Sequence, residues 1–304
     1  MNGLRGTVLE RDGAIYRVAT ERGVVRAVLR GKAKRGGPRV VVGDRVELDG
    51  DPDTKQGCGI ARVEERRSLL ARRVVQGRGR EIRPVVANVD RVLVVTAAVD
   101  PAPVPPLLDR LLVVAEANHL HAAVIINKID LDPADALANR FRRAGYEVLR
   151  TSVKTGEGID ALRAWIRGQE VVLAGPSGAG KSSLLNAVEP GLRLRVGEIS
   201  ARTRRGKGTT VSATMIPLPG GGYLVDTPGF SDVGVWGIEL NELGACFPDF
   251  KDLLGHCRFN DCRHTGEPGC AVEEGVRTGT ILAERLESYR ELRRELEALP
   301  KEWE

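Results

Sequence analysis

Two short motifs stand in an order that limits the topology of this chain more than any other feature. Gly175-Pro176-Ser177-Gly178-Ala179-Gly180-Lys181-Ser182 fits the pattern G-x-x-x-x-G-K-[ST], in which backbone N–H groups cradle phosphates and the lysine reaches the outer ones. Asn127-Lys128-Ile129-Asp130 fits N-K-x-D, whose amide and carboxylate match the hydrogen-bonding edge of guanine, yet it lies upstream. In nucleotide-binding sheets that carry both, the phosphate loop ordinarily comes first. The reversed order is what a circular permutation leaves. A sheet's hydrogen bonds do not depend on where the chain is cut, provided the old ends lie close enough to join.

The surroundings of both motifs support a parallel sheet covered by helices. Strands are expected at Val89–Val95, Ala122–Ile126, Glu147–Leu149 and Glu170–Ala174. Helices are expected at Leu107–Asn118, Ala134–Ala144, Ile159–Arg167 and Lys181–Val188. The phosphate loop thus joins a strand to a helix, with Lys181 aimed at the β- and γ-phosphates and the Ser182 hydroxyl, next to Ser183, at Mg²⁺. Asp226-Thr227-Pro228-Gly229 follows the apolar Tyr223-Leu224-Val225. Asp226 is expected to hold Mg²⁺ and the Gly229 N–H to sense the γ-phosphate. Thr209 or Thr210 is the switch threonine; with Thr210 in that role the magnesium set is Ser182, Thr210 and Asp226.

Asp130 can accept from guanine N1–H and the 2-amino group, Asn127 can bond the N7/O6 edge, and Lys128 can pack along the nucleotide. Ser152-Val153-Lys154 has the form of the loop that completes such a pocket through a backbone N–H to O6. An unmatched buried polar group costs ~1–3 kcal/mol, so two mismatches imply a preference for GTP over ATP of roughly 10²–10⁴. These elements together read as a GTPase. Phe230 stands where many GTPases carry a water-orienting glutamine, so slow intrinsic hydrolysis is expected, with a partner completing the site.

The net charge of +5 is unevenly spread. Residues 1–83 hold 20 Lys and Arg against 11 Asp and Glu, and the remainder 26 against 30. Between Arg22 and Arg39 stand Arg26, Arg30, Lys32, Lys34 and Arg35 with no acid, a pattern suited to a nucleic-acid backbone. β-branched runs at Val8-Leu9, Ile15–Val18, Val24–Leu29, Val40–Val42 and Arg45–Leu48, punctuated by glycines, predict a small closed barrel of the OB type. Tyr16 is the only aromatic residue in 1–83, which disfavours base stacking and favours contacts to the backbone of structured RNA. Arg66–Arg83 reads as a basic linker.

Cys257, Cys262, His264 and Cys270, with four, one and five residues between successive members, match a closed tetrahedral shell for one structural Zn²⁺. Cys58 and Cys246 lie apart and are expected to be packed thiols. Apolar positions Leu282, Leu286, Tyr289, Leu292, Leu296 and Leu299 step by threes and fours, predicting a final helix docked on its own protein. Glu287 with Arg290 and Glu291 with Arg294 are expected as pairs on its outer face. Neither an export signal nor a run long enough to span a membrane is apparent, so five cysteines point to a reducing compartment.

With the barrel before and the zinc cluster after the permuted motifs, the chain resembles the ribosome-small-subunit-dependent GTPase family (RsgA/YjeQ). The likeness extends to Phe247-Pro248-Asp249-Phe250, Glu267-Pro268-Gly269-Cys270-Ala271-Val272 and Arg285-Leu286-Glu287-Ser288-Tyr289. It implies a cytoplasmic, monomeric factor without membrane partners that binds GTP and GDP, Mg²⁺ and Zn²⁺, acts late in small-subunit maturation on its rRNA, and hydrolyses GTP when bound there. The family's Gly-basic-His-Thr-Thr stretch is here Gly206-Lys207-Gly208-Thr209-Thr210, so Gly208 replaces a candidate catalytic histidine and no general base is assigned. Two other readings compete: a GTP-switched RNA-binding assembly chaperone with negligible turnover, and, disfavoured by the guanine tetrad, a phosphate-loop small-molecule kinase. The expected architecture is α/β: an OB-fold barrel and linker over 1–82, a circularly permuted P-loop GTPase domain over 83–240, and a zinc-binding, helical domain over 241–304.

Overall fold

Alternating β-branched residues broken by turn glycines fold the N-terminal segment into five strands. The computed structural model of the protein describes residues 4–30, 38–51, 57–76, 79–192, 213–226 and 238–298, without the side chains of 72–83, 192 and 226. The strands are β1 (Leu4–Asp12), β2 (Ile15–Thr20), β3 (Gly23–Leu29), β4 (Arg45–Asp49) and β5 (Cys58–Val63). Antiparallel hairpins join β1 to β2 and β2 to β3, and β5 adds parallel to β3. β4 pairs with both β5 and β1, closing the ring β1-β2-β3-β5-β4-β1. This is a closed five-stranded barrel of the OB type. Val8, Tyr16, Val18, Val46, Cys58 and Ile60 fill it. The lone aromatic is therefore core, not surface.

β5 is a strand that the sequence does not signal, because polar residues and glycines surround its short apolar stretch; two further segments differ from expectation. Val40–Val42 is not a strand; it is a buried segment whose ladder contact, among the described residues, is a single bridge from Val42 to Val86. The supposed linker is a hairpin of β6 (Leu69–Gln76) and β7 (Gly79–Ala87). Leu70 and Val86 are fully buried in the core of the following domain. Basic residues masked an alternation that this packing uses.

The central sheet runs β10-β9-β8-β11-β13-β12, built from β8 (Arg91–Ala97), β9 (His121–Asn127), β10 (Glu147–Thr151), β11 (Glu170–Ala174), β12 (Thr214–Pro217) and β13 (Tyr223–Asp226). All neighbours are parallel except β12 with β13. Val92 and Val94 point to one face, under α1 (Pro105–Ala117) and α2 (Asp135–Arg143). Leu93 and Val95 point to the other, under α3 (Ile159–Ile166) and α4 (Lys181–Val188). Strands buried on both faces explain the near-continuous apolar runs. The barrel joins this sheet through a β1–β12 bridge, Glu10 to Thr214.

The C-terminal module carries two 3₁₀ turns, Leu243–Cys246 and Pro248–Phe250, then α5 (Ala271–Arg277) and α6 (Ala283–Glu297). Leu286, Tyr289, Leu292 and Leu296 of α6 share one core with α1 and α2, so the last helix docks on its own protein as its periodicity predicts. Its surface pairs differ from expectation. Arg290 reaches Glu273 of α5, and Arg294 pairs with Glu287 at 2.8 Å. Among the described residues no helix is long and apolar enough to cross a membrane.

Candidate guanine-nucleotide site and metal centre

Parallel pairing sets the C-terminal ends of β8, β9, β10, β11 and β13 along one edge, where open α/β sheets bind ligands. Ala97 is opposite Asn127, Thr151 opposite Asn127, and Leu173 opposite Asp226. The tetrad, the Ser152 loop, the phosphate loop and the backbone of Asp226 thus meet although the chain visits them in permuted order. Thr209, Thr210, Gly229, Phe230 and Gly208 lie outside the described residues, as does the Asp226 side chain.

The phosphate loop leaves β11 at Gly175 (φ +136°), where a Cβ would stand 2.0 Å from the Val95 carbonyl oxygen. At Gly180 (φ +92°) a Cβ would stand 2.3 Å from Asn127 Nδ2. Those close approaches explain in physical terms why the motif has glycine at both positions. Lys181 is buried and its Nζ donates to the carbonyls of Gly175 (2.7 Å) and Pro176 (2.9 Å), so the ammonium sits inside the loop's own curve. Ser182 is buried beside it at the start of α4, with Ser183 half-buried; Ser177 and Gly178 face outward, and Ala179 faces in.

Asn127 takes a role its sequence did not announce. Its Nδ2 donates to the Ala179 carbonyl (3.1 Å) and its Oδ1 accepts from Thr151 Oγ1 (3.3 Å). The amide thereby ties the tetrad to the phosphate loop and to β10. Asp130 keeps its carboxylate at the mouth, with Oδ1 accepting from Ser152 Oγ (2.6 Å) and Lys154 Nζ 3.9 Å from Oδ2. Val153 packs against the core under α3 and α4, and Ser152 Oγ also accepts the Thr155 N–H. Lys128 (φ +64°) donates to the Asp100 carbonyl, a contact no motif indicated.

In the C-terminal module the donor atoms of Cys257, Cys262, His264 and Cys270 all lie within 4.8 Å of one another. His264 Nδ1 is 3.6 Å from Cys257 Sγ, 3.6 Å from Cys262 Sγ and 3.3 Å from Cys270 Sγ. Zinc bond lengths in a tetrahedron require S···N edges of about 3.5 Å, so the donor set fits that ion. Burial lowers the His264 pKa, which favours the neutral imidazole that ligates metal. Glu267, unnoticed as a functional residue, accepts the Thr265 (2.7 Å) and Arg263 (3.0 Å) N–H groups and fixes the loop that carries His264. Cys246 is a packed thiol pushed up to about 12 by burial, and Cys58 is barrel core.

The family described as RsgA GTPase matches residues 63–236. The chain belongs to the RsgA GTPase family. A curated relative from Gemmatimonas aurantiaca, named small ribosomal subunit biogenesis GTPase RsgA, is 48% identical over 96% of this chain and 97% of its own. The structure of YjeQ from Thermotoga maritima superposes with a TM-score of 0.78 at 36% identity, covering 98% of this chain and 99% of that one. YloQ, described as a circularly permuted GTPase, superposes with a TM-score of 0.75 at 30% identity, covering 98% and 96%. The permuted topology, read first from motif order, is thus the family's own, and the chain is a GTPase.

Asn127→Ala should leave the Ala179 carbonyl and the Thr151 hydroxyl without their partner, at a cost of ~1–3 kcal/mol. A lowered urea midpoint, with faster amide exchange at Lys181 to Leu184, is the expected measurement.

Proposed function

We propose that this GTPase serves biogenesis of the small ribosomal subunit, binding GTP with Mg²⁺ at the permuted site and engaging rRNA through its barrel. The observation that carries the reading is the Asn127–Ala179 bond, which joins a guanine-type tetrad to a phosphate loop in the family's order. Lys181 would meet the β- and γ-phosphates; Ser182, Asp226 and Thr210 (or Thr209) would hold Mg²⁺, which neutralises phosphate charge when bound. Asp130 would select guanine, with Lys128, Ser152, Val153 and Lys154 completing the pocket. The barrel's excess of positive charge supports an RNA backbone as its partner, with Arg17 and Arg26 paired in register on the exposed faces of β2 and β3. Zinc, one per chain, would hold the C-terminal loop. The chain would act as a monomer in the cytoplasm.

By sequence, Phe230 and Gly208 stand at motif positions where a hydrogen-bonding side chain would serve the attacking water, so a partner would be needed to reach useful turnover. Those two residues also favour a second reading, a GTP-switched assembly chaperone with negligible turnover.

GTP turnover with and without purified small subunits separates the two: stimulation of the order of 10³-fold or more is expected, and none at all supports the chaperone reading. Asp130→Asn should weaken GTP binding by about 10²-fold and partly recover affinity with xanthosine nucleotides, whose ring edge matches the amide; equal affinity of the parent protein for ATP and GTP would overturn the guanine assignment. Elemental analysis should find one zinc per chain, and chelation should unfold residues 255–270 locally, since structural zinc contributes ~10–16 kcal/mol in small fingers.

A further inference from the structure

Two motifs that the nucleotide and zinc sites leave unexplained, Phe247-Pro248-Asp249-Phe250 and Arg285-Leu286-Glu287-Ser288-Tyr289, converge on one buried acid. Asp109 of α1 is fully buried, and so is Arg285 of α6. Asp109 Oδ1 accepts from Arg285 Nη1 at 2.6 Å, and Oδ2 accepts from both Ser288 Oγ and Arg140 Nη2 at 2.6 Å. Arg285 also grips Asp249 with two bonds, Nη2 to Oδ1 at 2.8 Å and Nε to Oδ2 at 3.1 Å. Two carboxylates and two guanidiniums make the cluster neutral. Its members come from three bodies: α1, α2 and the C-terminal module.

A buried ion cluster is weak evidence for stability, because apolar residues of similar volume often serve as well. Its attested use is to fix one arrangement, since any slip leaves a charge buried without its partner. The arrangement fixed here is that of α1 and α2, and both helices begin where the guanine site ends. The segment before α1 gives the Asp100 carbonyl to Lys128 and sets Pro101 against Gly178 of the phosphate loop. The segment before α2 carries Asp130, and its Asp132 carboxylate accepts the Ala134 N–H at 2.6 Å. Asp109 and Arg140 lie in the first or second turn of their helices, ~6–8 Å along the axis from each start. Movement of either helix therefore moves a base-reading loop with little lever arm to absorb it.

We propose that Asp109 and Arg140 are positioning residues for guanine recognition, and that the C-terminal module is the brace that holds them through Arg285, Ser288 and Asp249. Lys128 and Asp130 would be aligned by a domain that does not touch the nucleotide. This rests on the guanine reading of the preceding section. The phosphate loop is carried by β11 and α4 on the other face of the sheet and meets the braced segments at the Asn127–Ala179 bond and the Pro101–Gly178 contact, so it depends on the brace less directly than Lys128 and Asp130 do.

The test compares GDP and ADP affinities of the full-length, zinc-loaded chain with those of Arg140→Met and Arg140→Lys. ADP uses the phosphate loop but offers Asp130 no matching donors. For Arg140→Met, GDP affinity should fall by roughly 3- to 30-fold while ADP affinity stays within about twofold, and Arg140→Lys should recover most of the loss. GDP and ADP affinities that fall together, or do not change, in a folded variant that keeps its zinc would overturn the proposal. Should Arg140→Met not fold, Ser288→Ala, which keeps every charge, decides by the same ratio: GDP affinity should fall by about threefold or more while ADP affinity is unchanged, and an equal change in both would overturn the proposal. The parent protein's own preference for GDP over ADP reports separately on the guanine reading, so failure of one is distinguishable from failure of the other.

Discussion

Parallel strand register is the constraint on which the site depends. Once β8, β9, β10, β11 and β13 lie side by side in the same direction, their C-terminal ends share one edge, and every loop that leaves them opens toward the same space. Chain order enters only through which ends are joined. The Asn127 amide then does locally what register does globally, bonding the tetrad loop to the phosphate loop on one side and to β10 on the other. A permuted sequence can therefore keep an unpermuted site.

How much of this was legible follows from how local each interaction is. The phosphate loop, the strand before it and the helix after it occupy adjacent residues, and Glu170–Ala174 and Lys181–Val188 stand where periodicity placed them. The four zinc donors also lie within one short segment. By contrast, Arg285 and Asp109 are 176 residues apart, and nothing in a helical stripe says that a guanidinium on its flank will be buried against a distant acid. The β6–β7 hairpin was hidden for a different reason: Arg72, Arg73, Arg80 and Arg83 dilute the alternation that Leu70 and Val86 use in packing. Asn127 shows a third kind of limit. Its identity is plain in sequence, but its partners within the protein, Ala179 and Thr151, lie 52 and 24 residues away and are set by the fold.

The same buried cluster bears on how nucleotide state could reach the C-terminal module. The module is seated on α1 and α2 by a shared apolar core and by neutral ion pairing. Arg110 on α1 pairs with Glu295 on α6, a second tie along the same interface. Breaking one partner from such a cluster typically costs 3–5 kcal/mol, which is a large share of a domain's stability. The Cys/His loop and the helices that follow β8 and the tetrad thus share one packed interface.

The barrel's attachment also settles what happens at the margin of the central sheet. β12 is four residues long and forms the outer antiparallel strand, the position at which unpaired amides and carbonyls invite a strand from another molecule. Here β1 meets it at Glu10–Thr214, and β1 is itself consumed in a ring that has no free side. The opposite margin, β10, is five residues long and carries Glu147 and Arg150. One border of the sheet is occupied and the other is short and charged, so the sheet presents little backbone on which further copies of the chain could template.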